Sequence, residues 1–560
     1  MVGRIARTLH ATGHIKPGRA EACAVPGRAW RCAVALIMFL ALSTASAMAR
    51  DPDPAFRIPL ESLGYQPPAP EFLLSGGSML TVHFVDKDHI LVTFGLRRLM
   101  KREIDPSPND ADHMVGAFLV EVSSGKVVAR TEWRVHDRGQ YLWDLGHGRF
   151  LLRIRDRLTM FAPMEGSEPF RERPILTIDR HIIMVLVSAN SDLLTVETTN
   201  RAAGPGEASD IYGGALTPGD NAPVQLNFYR MIETQGQLLF SFAGAIRTRA
   251  ALALPMTSAG FLEVLEGRKD TWMFNFDEYS GKVDELAAWD TSCFPRSTFV
   301  GHSEFVAFGC RGSDDKHQFA GFNLKGEQMW QQGFFDYYIA PVFVFAPSAG
   351  RFALGRTILG APIDPEVPVP ASAVSTQEVR VYQTYSGKQI FRAECSPVQR
   401  AGQNFSLSPD GMQLAVIREA TTRRVVKGDL DEYTEHRAFV EVYALPPLSD
   451  KDLAAIKDVE KVAPADTGAR IDVALGRTSS EKQKVNTASA ADHGAGAGGI
   501  APVQVPAPAA PQAGLNVPGS DTGGSEEGAA TAGDVDTGHR REPPTLYGPD
   551  EKKPEQKAPK

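Results

Sequence analysis

The segment Asn404–Arg418, NFSLSPDGMQLAVIR, decides how this chain is read. Phe405 and Leu407 alternate with polar neighbours, the period-two pattern of a strand with one buried face. Ser408-Pro409-Asp410-Gly411 supplies a tight turn, and Gln413–Ile417 starts the return strand. Looser copies of this unit recur outward along the chain. They fall into seven groups of about four short strands each. The groups span Met79–Trp133, Tyr141–Asp179, Ile182–Ala243, Ala251–Trp289, Thr298–Gly333, Val342–Ala393 and Asn404–Leu445. Longer intervals coincide with polar or Gly/Pro-rich insertions at Asn200–Asn221, Gly360–Gln377 and Arg418–His436.

The connection from third to fourth strand carries the sharpest internal signature. It reads Val120-Glu-Val-Ser-Ser-Gly-Lys-Val-Val, then Phe276-Asp-Glu-Tyr-Ser-Gly-Lys-Val. It returns as Phe322-Asn-Leu-Lys-Gly-Glu and as Tyr382-Gln-Thr-Tyr-Ser-Gly-Lys-Gln-Ile. A tight hairpin needs one residue at positive φ, and glycine meets that need without steric cost. The seventh group lacks an obvious fourth strand. Phe56-Arg-Ile-Pro-Leu60, near the start of the strand-rich region, can supply it and close a ring.

These units resemble the blades of seven-bladed β-propellers of the YVTN, PQQ-repeat and WD40-like kind. The Ser408–Gly411 turn is similar to the SPDG turn of WD40-like and TolB-type blades. The resemblance covers about Pro54–Leu445 and concerns fold alone. Trp133 and Trp289 follow their Gly-Lys turns as the PQQ repeat would have it, but Phe391 stands at the corresponding place in the sixth group. No set of quinone-binding residues maps onto the chain, and the Trp-Asp endings of WD40 blades are absent as a series. A β-sandwich with glycine hairpins is the alternative architecture.

The chain has 560 residues, formal net charge −8, 43% hydrophobic residues, 51 Gly and 39 Pro. The negative balance argues against nucleic acid as a partner, because such binding displaces counterions with a basic surface. Arg28 and Arg31 precede the apolar run Cys32–Leu42, and small residues follow through Ala47. That run suits a signal peptide and is short for a membrane span. The expectation is an exported protein, periplasmic or extracellular, meeting the membrane only if the segment stays uncleaved. From about Pro446 the composition turns to Ala, Gly, Pro, Ser, Thr and charge. Lys451–Val462 has the pattern of a short helix, and the remainder cannot bury enough apolar area to order itself. The resulting division is a signal peptide at 1–47, an all-β seven-bladed propeller at 54–446 and a disordered tail at 447–560.

Motifs for chemistry are sparse. His83, Asp86, Asp88 and His89 have metal-ligating types close together, but Val85–Ile90 also reads as a polar turn between apolar strands. His136-Asp137 and the Asp144/His147 pair share that ambiguity. Asp314-Asp315-Lys316-His317 lacks calcium-loop spacing and reads as a hairpin tip. Phe334-Phe335-Asp336-Tyr337-Tyr338 suits inter-blade packing or a ligand surface. No G-x-S-x-G, H-E-x-x-H or phosphate-cradling Gly-Lys-Ser/Thr motif occurs, and no cofactor or metal is expected. Cys293 and Cys310 flank a turn and two strands, so export would permit a disulfide closing a loop of about 17 residues and contributing on the order of 3 kcal/mol. The alternative is two buried thiols. The composite expectation is a binding or scaffolding module for a protein or glycan. Its rival is an exported hydrolase or lyase acting on carbohydrate or peptide, with residues gathered from several blades.

Overall fold

The four signature glycines adopt the conformation their hairpins demand. Gly125, Gly281, Gly326 and Gly387 have φ of 67°, 102°, 85° and 64°. At each hairpin the last residue of the incoming strand bonds back across the turn: Glu121 N to Lys126 O, Glu278 N to Lys282 O, Asn323 N to Glu327 O and Gln383 N to Lys388 O, at 2.8–3.1 Å. One turn chemistry therefore serves four blades. The computed structural model describes residues 53–66, 79–96, 113–135, 140–177, 180–199, 224–248, 254–310, 317–334, 342–360, 374–396, 404–425 and 432–476. All belong to the unit Met1–Gly514; the second unit, Leu515–Lys560, contains none of them. The signal-peptide segment 1–47 and the tail beyond residue 476 lie outside the described residues, as do His136-Asp137, Asp314–Lys316 and residues 335–338.

The strands form seven sheets, each an antiparallel meander, in the order of a seven-bladed propeller. Strand β1 (Phe56–Pro59) stands apart in sequence from its sheet. Blade 1 is β2–β5 (Thr81–Phe84, His89–Leu96, His113–Glu121, Val127–Val135). Blade 2 is β6–β9 (Leu142–Asp144, Phe150–Ile154, Arg157–Phe161, Arg173–Thr177). Blade 3 is β10–β13 (His181–Val187, Leu193–Thr199, Val224–Thr234, Gln237–Thr248). Blade 4 shows three described strands, β14–β16 (Gly260–Glu266, Thr271–Glu278, Val283–Asp290), with a Met256–Phe261 bridge on its inner side. Blade 5 is β17–β20 (Arg296–Phe299, Glu304–Cys310, His317–Asn323, Gln328–Phe334). Blade 6 is β21–β24 (Val342–Ala346, Arg351–Leu359, Val374–Gln383, Gln389–Cys395). Blade 7 comprises β25–β27 (Phe405–Leu407, Gln413–Val425, Glu432–Ala444) and, as its outer strand, β1.

Closure uses the segment expected from the sequence. β1 pairs antiparallel with β27, Phe56 opposite Val442 and Ile58 opposite Val440. Ile58 then joins a cluster containing Val440 and Val442 of blade 7 with Val82, Phe84 and Val92 of blade 1. Elsewhere, aromatic side chains on the outer strands reach into the following blade. Trp133 meets Phe161 at 5.1 Å between ring centres, Trp289 meets Phe322 at 5.7 Å, and Phe391 meets Tyr443 at 5.1 Å. Trp330 does the same without a Gly-Lys turn before it, donating its indole N–H to Thr384 O at 2.6 Å.

Side-chain oxygens brace the Ser408–Gly411 turn, Asp410 Oδ1 accepting from Met412 N at 3.0 Å beside the Ser408 hydroxyl. Ser408 Oγ accepts from Met412 N at 3.1 Å and Gln413 N at 2.9 Å. Gly411 has φ of 64°, and a Cβ there would collide with the Ala349 methyl of blade 6. Conformation and close approach both require glycine. Cys293 and Cys310 form a disulfide, Cα atoms 5.4 Å apart. Thr291 Oγ1 accepts from Cys310 N beside it at 2.8 Å. Cys395 is buried and unpaired, and burial raises its thiol well above the ordinary range.

Two expectations need correction. The insertion at Arg418–His436 is mostly strand: β26 and β27 remain paired out to Val425 opposite Glu432. The β-branched run Thr421-Thr422 and Val425 favours that extension. Residues 447–476 are ordered, so the disordered tail does not begin at 447. Helix α1 (Asp450–Glu460) opens with a capping box between Ser449 and Asp452, and residues 471–476 form a further helical turn. Pro446 O accepts from Arg351 at 2.6 Å, Asp466 pairs with Arg230 at 2.8 Å, and Ile471 is fully buried with Phe228 and Tyr279. These anchors draw the segment from blade 7 across to blades 3 and 4.

Ring closure gives a stability prediction. Ile58→Ala should cost about 2–4 kcal/mol in chemical denaturation, because it opens a cavity between blades 7 and 1. Phe56→Ala, two positions earlier on the same face but 37% exposed at the strand's end, should cost well under half of that. Equal losses would mean that the β1 seam carries no inter-blade packing.

Candidate functional site

The inner strands leave a cavity of about 750 Å³ at one mouth of the central channel. Side chains from six blades line it: His83 of blade 1, Asp144 of blade 2, Ser188 of blade 3, Glu304 of blade 5, Phe343 of blade 6 and Ser406 of blade 7. Helix α1 adds Ala455, Ile456, Val459 and Glu460. The helix has no fully buried residue of its own. It is held over the mouth by Ser303 Oγ, which donates to Val459 O at 3.0 Å, and by Tyr385 OH, which donates to Asp452 at 2.9 Å.

Three titratable groups in the lining are displaced from their ordinary behaviour. His83 Nε2 is buried without a hydrogen-bond partner among the described residues. Its ring lies edge-on to Phe150 at 5.8 Å, and burial pushes the imidazole down to about 4, so it is neutral near pH 7. Glu304 is 2% exposed and its Oε1 has no hydrogen-bond partner among the described residues. Desolvation raises its carboxyl to about 7, against a hydrogen bond with Thr384. Asp144 borders the cavity and is exposed, and Gly146 N donates to its Oδ1 at 2.7 Å. The protein around it raises its carboxyl to about 6, opposed by Gly146 and His147.

The sequence candidates separate here. Asp86 accepts from Asp88 N at 2.7 Å, His89 N at 2.8 Å and His89 Nδ1 at 3.0 Å. That is a side-chain-stabilised turn, and His83 belongs to the channel instead. Asp144 and His147 both border the cavity, and His147 Nε2 lies 3.4 Å from Glu233. Among the described residues no three His, Cys, Asp or Glu side chains gather as a metal ion would need. His317 opens β19, opposite Cys310. Glu304 and His302 were not singled out from sequence. The available signal was a lone acid directly before the apolar run Phe305–Phe308. A second charged group lies in blade 6, where Glu378 takes Arg356, Arg380 at 2.6 Å and Arg392 at 2.7 Å. It ties three strands of one sheet together.

No family model and no curated protein matches the chain. Among solved structures it is similar to an acylaminoacyl peptidase from Pyrococcus horikoshii, with 10% identity and TM-score 0.38 over 70% of this chain and 55% of that one. It is similar to TolB from Acinetobacter baumannii at 10% identity and TM-score 0.27, covering 60% and 79%. A prolyl endopeptidase is similar at 11% identity and TM-score 0.31, covering 68% and 56%. The chain spans about half the length of the peptidases it matches. Likenesses this distant carry no argument about activity, and the propeller assignment stands on the sheet order.

The Glu304 environment sets a pH dependence. With a folded value near 7 and an unfolded value of 4.5, the folded chain holds the proton more tightly between those limits. Stability from this group is therefore highest below about pH 4.5 and falls as pH rises to about 7. Glu304→Gln removes this dependence on pH. It should match the parent near pH 4.5 and exceed it by roughly 3 kcal/mol at about pH 8. A difference that does not vary with pH, followed by denaturation at each pH, would contradict the desolvated carboxyl.

Proposed function

We propose that this chain is an exported binding propeller that receives its ligand in the channel-mouth cavity beneath α1. The observation that carries the reading is the cavity itself. Its volume lies in the range of small-ligand sites, and polar groups from six blades converge on it within a largely apolar wall. Export rests on the basic, apolar and small-residue succession through Ala47. A protein segment or a glycan end suits such a mouth, since both can insert a narrow group while the remainder stays outside.

A hydrolase reading draws support from one observation, a buried carboxyl with a pKa near 7 facing a cavity, as a general acid requires. Against it, no hydrogen bond among the described residues joins His83, Asp144, His147, His302 and Glu304 to one another. Catalytic acids, bases and nucleophiles work as mutually oriented pairs.

The test uses the secreted protein on an array of immobilised glycans and peptides. Ala455→Trp, at a half-buried position of α1 in the lining, places an indole at the cavity mouth. Any array ligand bound by the parent should lose about tenfold or more in affinity to this variant. Full binding by Ala455→Trp would remove the channel as the ligand site, and product formation on the array would favour the hydrolase.

A further inference from the structure

The charge of the cavity lining is one-sided. Asp144, Glu304 and Glu460 line it, and no lysine or arginine does among the described residues. Arg351, Arg149 and Lys461, each next in sequence to a lining residue, are committed elsewhere, Lys461 to Asp458 at 2.9 Å. Arg351 donates to Gly411 O and Pro446 O, both at 2.6 Å. Arg149 donates to Glu165 at 2.9 Å and Gly236 O at 2.8 Å. The acidic character is thus uncompensated at the place where a ligand would sit.

Glu304 makes this more than an accumulation of acids. It is almost wholly buried, it borders the cavity, and one of its oxygens has no hydrogen-bond partner among the described residues. Buried polar atoms are ordinarily satisfied, so an oxygen left unpartnered in the cavity wall is a place for a donor from outside, reached by a small side-chain shift because the oxygen itself is covered. Aromatic rings of Trp143, Phe343, Phe345 and Tyr385 line the same space. Aromatic faces attract cations and exclude anions, and they also cover the apolar body that carries the charge. His83, held neutral, adds no competing positive charge.

The geometry points to an organic cation as the ligand of this cavity: an ammonium or guanidinium group on a short apolar stem, with the cationic head at the free oxygen of Glu304. A lysine or arginine side chain of a partner peptide and a free amine share this chemistry. The assignment rests on the channel-mouth reading proposed above, and it deepens that reading by giving the ligand a charge.

Three probes that share one ring separate the two claims. Benzylamine, benzyl alcohol and benzoate are titrated into the full chain by calorimetry at about pH 8, where Glu304 is ionised. Benzylamine should bind in the millimolar range or tighter, about tenfold or more above benzyl alcohol, with benzoate weakest. Glu304→Gln should remove most of that preference, and its stability near pH 4.5, matched to the parent, keeps loss of fold from being mistaken for loss of the site. A lysine-containing peptide that competes with benzylamine, where free lysine does not, would identify the peptide source. Equal or better binding of benzyl alcohol or benzoate, blocked by Ala455→Trp, would overturn the charge assignment and leave the cavity as a binding site. A preference for benzylamine that survives Glu304→Gln would also overturn it. Binding of none of the three would overturn the cation assignment, and the array with Ala455→Trp decides the cavity reading separately.

Discussion

The pairing of β1 with β27 is the constraint on which the remaining structure depends. A four-stranded blade has two apolar faces and cannot cover either alone. Each face is covered by the next blade, so the stack is satisfied only when the last blade meets the first. Here the chain begins its propeller in blade 7 and ends it there. Ile58 is buried by residues of both blades, and Arg57 forms an ion pair with Glu441 across the same seam. Opening that seam would expose two strand edges and two sheet faces at once.

Within the ring, two kinds of contact keep the blades in register. Aromatic side chains on outer strands insert into the following blade, with Trp330 packed so closely over the hairpin of blade 6 that a side chain at Gly387 would collide with its ring. Turns on the channel side then present their polar groups inward. The cavity is a consequence of that geometry: inner strands converge near the axis but cannot meet on it. The segment after the propeller turns this opening into a covered site, because α1 lies across the mouth and is anchored at both ends by side chains of the blades.

Features fixed by neighbouring residues were legible in the sequence. The four glycine hairpins, the Ser408–Gly411 turn and most strand positions follow from period-two patterning and from the need for positive φ. The closing role of Phe56–Leu60 was legible because one strand was missing at the other end. The site was not. Its lining draws on His83 and Glu460, which lie almost four hundred positions apart, and no local pattern marks residues that meet only through the curvature of a ring. Glu304 looks like an ordinary surface acid until the blade buries it. The helix itself was legible, since Lys451–Val462 reads as one and α1 covers Asp450–Glu460; its docking was not, because α1 buries no residue fully and the contacts that hold 447–476 come from blades 3 to 6. The strand extension of β26 and β27 was masked by the charges of Arg423, Arg424 and Glu432, which read as an insertion.

Hydrogen exchange followed by mass spectrometry on the intact chain tests the closed ring most directly. Ala55 N donates to Val442 O at 2.8 Å, and β1 is paired along its length. Those amides of residues 55–58 that bond to β27, Ala55 among them, should be protected to the same extent as those of β3, deep within blade 1, because both open only when the ring opens. Exchange of residues 55–58 at the rate of an unpaired segment, with β3 still protected, would contradict the closed propeller.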